Sequence, residues 1–253
     1  MIRLRRSQAV AGLTTGRITA FSDGVFSIAI TLLVLNLHVP TVPSNVPSSD
    51  VPVKVLDQLG TQWPNLLSYI LSFVIIGIYW IAHHNMFHYI KRSDRPFLWI
   101  NILLLMCVAF IPFPAGFLGQ FSFINQPSLA RAAEIIYASN LILTNLMLSL
   151  LWWYATSNHR LVDQDIDPHF VRTVNRRNMT APVVYLVSIG LSFLSPLASL
   201  IVFFLFPLYY IFPSHLDLHL TPTSRTKEEP EEHEDSIGED SSITGGEGEE
   251  DIS

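Results

Sequence analysis

The chain has 253 residues, of which 49% are hydrophobic and only 14% charged, with a formal net charge of −6. Soluble domains carry about a quarter charged residues, so this deficit argues against an ordinary soluble protein and for lipid as the solvent. The acidity is local: 12 of the 21 acidic residues lie between Glu228 and Asp251, and residues 1–227 carry 15 basic and 9 acidic residues, a net of +6.

The first segment, 1–17, contains Arg3, Arg5, Arg6 and Arg17 and reads as a cytoplasmic N-terminal segment. A hydrocarbon core about 30 Å thick needs roughly 20 apolar residues in a helix, and Ile18–Leu37 satisfies this as a first span. That run exceeds the roughly 7–15 residues of a signal-peptide core and no small-residue cleavage site follows it, so it reads as a retained helix. The stretch 38–64 holds Pro40, Pro43, Pro47 and Pro52, which predicts an irregular outer loop with a short helix around Val53–Leu59. Leu66–His88, Phe97–Leu118 and Arg131–Tyr154 are three further runs of spanning length. Cys107, inside Phe97–Leu118, is the only cysteine, so neither a disulfide within the chain nor a CxxC metal pattern is possible.

The last apolar block, Met179–Phe212, is too long for one span and contains Pro196, which removes a backbone donor and clashes with the preceding turn. Two short helices follow, about Met179–Ser195 and Pro196–Phe212, each reaching only ~25 Å. The expected fold is therefore an all-α integral membrane protein with six transmembrane helices, the last two short. With both termini cytoplasmic, Lys and Arg collect in 1–17, 89–96, 155–178 and the tail, leaving only Lys54 and Arg131 outside, as the positive-inside rule requires. Trp63, Trp99, Trp152, Trp153 and Tyr154 fall near span ends and read as interfacial anchors. The final segment, 213–253, is a cytoplasmic acidic tail with too little apolar content to fold.

The first span carries the unusual chemistry. Asp23 is an acid inside a hydrophobic helix, where an ionised carboxylate costs on the order of 3 kcal/mol without partners. Arg17 lies about 120° away around the helix, so it cannot easily pair with Asp23 on one helix. Ser22, His83, His84, His88 and Asn101 share its expected depth, which predicts an interhelical polar network. On the same helix Gly24, Ile28, Leu32 and Leu35 recur at helical spacing, with Thr31 beside them. A core or lipid-facing stripe would look the same, but copies assembled around an axis would turn the stripe into apolar rings that gate by dewetting.

Arg17, Phe21, Ser22 and Asp23 match an Arg-x-x-x-Phe-Ser-Asp motif, and the run Gly24–Leu35 follows it. Tyr79-Trp80-Ile-Ala-His83-His84, Arg92-Ser-Asp94, Asn101-Ile-Leu-Leu-Leu and Phe110-Ile-Pro112-Phe-Pro114 extend the match over the first three spans. On these residues the chain resembles the transmembrane protein 175 family of potassium channels. The resemblance implies a potassium-permeable cation channel rather than an enzyme, without a Thr-Val-Gly-Tyr-Gly filter and with the first helix lining the pore. It places the constriction on Ile28, Leu32 and Leu35, and a selectivity-associated threonine on Thr31. Arg17, Phe21, Ser22, Asp23, His83, His84 and Asn101 become the polar network. A single six-helix unit implies a homotetramer in the cell membrane; the expected partners are the bilayer, potassium ions as permeant species and its own copies. No cofactor, metal or nucleic acid is expected.

Two other readings compete. A secondary transporter would usually carry internal repeats and helices broken at the bilayer midplane, and no repeat is visible. A membrane metalloenzyme could use His84 and His88, four apart on one face, but would need at least a third ligand.

Overall fold

The computed structural model describes residues 15–42, 44–123 and 126–211. The acidic tail and the segment 1–14 lie outside the described residues. Those described form an all-helical fold: α1 Thr15–Leu32, continued by a 3-10 turn Leu33–Asn36, α2 Val51–Thr61, α3 Trp63–Tyr89, α4 Arg95–Phe110, α5 Pro112–Phe121, α6 Pro127–Thr156, α7 Pro168–Ser192 and α8 Pro196–Ile211. Among the described residues four stretches are long and apolar enough to cross a membrane: Thr15–Asn36, Trp63–Tyr89, Arg95–Phe121 and Pro127–His159.

The third of these is nearly continuous across α4 and α5. Pro112 has no N–H to offer Val108, whose carbonyl oxygen instead accepts from Ile111 N at 3.1 Å, tightening the turn. Asn36 Nδ2 donates to the Pro112 carbonyl oxygen at 2.9 Å, which fastens the end of the first span to the third. Ser68 Oγ donates to the Ala115 carbonyl in the same region and fastens α3 to α5.

The helices begin where their caps place them. Asp94 Oδ1 accepts from Phe97 N at 3.0 Å and its Oδ2 accepts from Tyr154 Oη at 2.8 Å, so one carboxylate starts α4 and ties it to the end of α6. Asp167 Oδ1 accepts from His169 N at 2.8 Å, and Pro168 occupies the first helical turn. α7 therefore begins at Pro168, not near Met179, and is 25 residues long; the expected short fifth helix is corrected on this point. Hydropathy cannot detect its polar first half, which carries Arg172, Arg176 and Arg177. The expected break before Pro196 is present, with α7 ending at Ser192.

The loop after the first span is less irregular than its prolines suggest. The Gln58 carboxamide accepts from Thr41 N and donates to Thr41 O, both at 3.0 Å, and Gln62 clamps the backbone of His38 in the same way. Gln58 of α2 and Gln62 just beyond its end thus hold the loop through side chains that imitate a strand partner.

α6 sits at the centre, packed on α4, α5, α7 and α8, while α1 packs on α3 and α4. The largest fully buried side chains include Trp152, Tyr137, Phe26, Phe97 and Phe203. Trp152 is thus a core residue and not the interfacial ring expected of it, because α7 and the 157–167 connection cover that end of α6; Phe170 lies edge-on to it at 6.3 Å. Trp63, Trp99 and Trp153 are exposed.

Candidate functional site

α1 has two faces of different character. Ile18, Ser22, Phe26, Ala29 and Leu33 are buried against α3 and α4. Arg17, Phe21, Gly24, Ile28, Thr31, Leu32 and Leu35 are exposed on the other side. Among these Ile28 is 59% exposed and Leu35 71%. The 3-10 turn matters here: side chains three apart eclipse in it, which keeps Leu35 in line with Leu32 where an α-helix would rotate it away. The apolar stripe expected from spacing is therefore present, and the described residues leave it exposed.

The buried face holds the polar network. His83, Asn101 and Ser22 are 0%, 2% and 0% exposed. His83 Nε2 lies 3.0 Å from Asn101 Oδ1, Asn101 Nδ2 donates to Ser22 Oγ at 3.0 Å, and Ser22 Oγ donates to the Ile18 carbonyl at 2.9 Å. The directions follow from valence. The Ser22 hydroxyl hydrogen is committed to Ile18, so Ser22 can only accept from Asn101. Asn101 then turns its carbonyl oxygen to His83, and His83 must carry its hydrogen on Nε2. Nδ1 of His83 has no partner, and its ring stacks on Phe87 at 4.4 Å and tilts against Phe26 at 5.5 Å. One residue from each of α1, α3 and α4 thus forms a single hydrogen-bonded chain.

Asp23 does not join this chain. Its Oδ1 accepts from Trp80 Nε1 at 2.8 Å, and the His84 ring packs on Trp80 with centroids 5.6 Å apart. Trp80 is the partner that sequence reasoning missed: nothing in the chain order gives the α1–α3 register that sets it one turn above His84. The side chains of Arg17 and Phe21 lie on the outward face. The structure accordingly joins Ser22, His83 and Asn101, places Asp23 and His84 around Trp80, and leaves Arg17 and Phe21 apart. His88 is also exposed, away from His83. Among the described residues no three His, Cys, Asp or Glu side chains come together to hold a metal ion.

A second buried acid, Glu134 on α6, also escaped the sequence reasoning. It is 1% exposed, and neither carboxyl oxygen has a partner of hydrogen-bond geometry, although Ser199 and Arg131 are polar neighbours. Arg131 instead donates to the Ser192 and Phe193 carbonyl oxygens at 3.1 and 3.4 Å, closing the end of α7.

Comparison with known proteins bears on the family to which the chain belongs. The family model described as endosomal/lysosomal potassium channel TMEM175 matches residues 17–112, which hold the α1 stripe and all of the polar network. A potassium channel of Streptomyces collinus is 36% identical over 198 residues, covering 78% of this chain and 92% of the relative. A potassium channel of Chamaesiphon minutus is 37% identical over 201 residues, covering 79% of this chain and 95% of the relative. The crystal structure of a lysosomal potassium-selective channel TMEM175 homolog from Chamaesiphon minutus superposes with a TM-score of 0.66 at 35% identity, covering 78% of this chain and 96% of that one. This is a family of channels and not of enzymes, and the chain belongs to it: it is a member of the TMEM175 potassium channel family.

Proposed function

We propose that four copies of this chain assemble around an axis in the cell membrane as a potassium-permeable channel, with α1 lining the pore. The observation that carries the reading is the division of α1. One face is locked to α3 and α4 by the Ser22–Asn101–His83 chain, while the opposite face presents Ile28, Leu32 and Leu35 outward. Around a four-fold axis these three residues form successive apolar rings, a constriction that gates and filters by controlling wetting. Thr31 donates its hydroxyl hydrogen to the Ile28 carbonyl at 2.9 Å, which leaves its oxygen lone pairs free to face a cation near the constriction. Arg17, Phe21 and the Trp80-bound Asp23 lie where neighbouring copies would meet and complete the polar network between subunits.

In this reading the channel domain is 18–212 with six spans, α7 contributing its apolar part from Met179 and α8 the sixth. The segment 1–17 and the acidic tail 213–253 are cytoplasmic, which places 13 of the 15 Lys and Arg residues on the cytoplasmic side. The potassium channels of Streptomyces and Chamaesiphon, similar over most of their length, support the permeant ion.

The test is reconstitution into planar bilayers with bi-ionic reversal potentials for potassium against sodium. Ile28→Asn and Leu35→Ala are expected to raise conductance and move the reversal potential toward zero. Currents unchanged in both variants would remove α1 from the pore.

A further inference from the structure

Away from α1, a cleft enclosing about 450 Å³ of empty space, its open mouth included, lies between α3, α6, α7 and α8. Its walls are mostly apolar, among them Ile75, Ala82 and Phe206. Two carboxamides also line it, Asn145 from α6 and Asn178 from α7, 5% and 8% exposed. Asn145 Oδ1 and Asn178 Nδ2 have no hydrogen-bond partner within the protein. An acceptor and a donor are therefore buried and unanswered in one cleft, as few interior polar groups are.

The mouth has a charge. Arg177 lines the cleft with its guanidinium 5.5 Å above the Tyr210 ring, and Tyr210 Oη is tied to the Arg177 carbonyl at 2.9 Å and to Thr180 Oγ1 at 3.1 Å. Arg172 and Arg176 stand exposed on the same part of α7, and no acidic residue lies in the whole helix.

We propose that this cleft holds a membrane phospholipid whose head carries both an anionic phosphate and a free hydroxyl. One acyl chain lies among the apolar walls. The phosphate oxygens face Arg177, a guanidinium being suited to anionic oxygen pairs. A head-group hydroxyl donates to Asn145 Oδ1 and the Asn178 amide donates to an ester or hydroxyl oxygen, so both orphaned atoms gain partners. Phosphatidylglycerol meets this description; phosphatidylcholine has the phosphate but neither net charge nor a hydroxyl. The site is separate from the α1 stripe, and its test does not pass through ion flux.

The full-length protein, delipidated in detergent, is given equal amounts of the two lipids with matched chains, and bound lipid is counted by native mass spectrometry. Phosphatidylglycerol is expected to be retained about tenfold over phosphatidylcholine. Ala82→Ile, which fills the cleft, and Asn178→Leu, which removes the donor, are expected to lower that retention by about tenfold, while Arg172→Gln leaves it within about twofold. Elution profile and melting temperature identify any variant that fails to fold, and the wild-type lipid preference stands as a test without variants. Equal retention of both lipids overturns the proposal, as does retention indifferent to Ala82→Ile. Glycerol phosphate without acyl chains competing as well as the intact lipid also overturns it, as does density showing only water in the cleft.

Discussion

Asn101→Leu is the sharpest test of how α1 is held. The substitution keeps the shape of a side chain that is 2% exposed and deletes both of its hydrogen bonds, to His83 and to Ser22. Interhelical hydrogen bonds inside membranes contribute about 0.6 kcal/mol each, so the two bonds supply about 1 kcal/mol. The larger effect is asymmetric. Ser22 keeps its bond to Ile18 and loses only an incoming donor, whereas His83 Nε2–H is left buried among Phe26, Phe87 and the leucines of α4 with no acceptor, at a cost of about 1–2 kcal/mol. The expected total is about 2–3 kcal/mol, read from reversible SDS unfolding of the reconstituted protein. Ser22→Ala alone strands one amide hydrogen of Asn101 and should cost about 1 kcal/mol. Because both substitutions break the same bond, the double variant should be less destabilised than the sum of the two, by about 0.5–1 kcal/mol. A neutral Asn101→Leu, or strict additivity with Ser22→Ala, would refute the hydrogen-bonded chain as drawn.

Gly119→Ala should destabilise by about 1–3 kcal/mol, because a Cβ there would sit 2.9 Å from the Asn65 Cα, a backbone atom that cannot swing aside; a melting temperature unchanged in detergent would contradict that α3–α5 contact. Glu134→Met should stabilise by about 1–3 kcal/mol, since it replaces a buried acid lacking hydrogen-bonded partners with an apolar side chain of similar volume, and a clear fall in melting temperature would mean the carboxyl is well paired. Trp80→Phe should reproduce most of the effect of Asp23→Ala on assembly, measured as the fraction eluting as oligomer, because both delete the same 2.8 Å bond. An Asp23→Ala channel that assembles normally but changes only its ion preference would argue against that role.

The apolar helices were legible because lipid imposes a length and a composition that few other contexts produce, and the observed ends of α3 and α6 extend their predicted runs by only a few residues. The start of α7 was not, since its first turns are polar and only the Asp167-Pro168 pair, a cap followed by a first-turn proline, marks it. The members of the hydrogen-bonded chain could be named from depth alone, but the pairing could not. Whether Asn101 serves Ser22 or Asp23 depends on rotation of α4 about its axis, which core residues such as Phe97, Leu104 and Val108 decide by packing. Glu134 was open to the same argument that singles out Asp23, an acid in an apolar run, although a position three residues after Arg131 is also one that an ordinary helix-end pair occupies. Trp152 was misplaced because proximity to a span end says nothing about what covers that end.

The fixed polarity of the Ser22–Asn101–His83 chain has a consequence for charge movement. A proton wire must pass hydrogens hand to hand and then reset, and each link here resists that exchange. The carboxamide of Asn101 would have to become an imidic acid, and the last acceptor, the Ile18 backbone carbonyl, has no hydrogen to release onward. These three residues therefore end in a cul-de-sac for protons: the histidine in the middle of the bundle acts as a rivet between helices, and hopping through this part of the bundle is blocked.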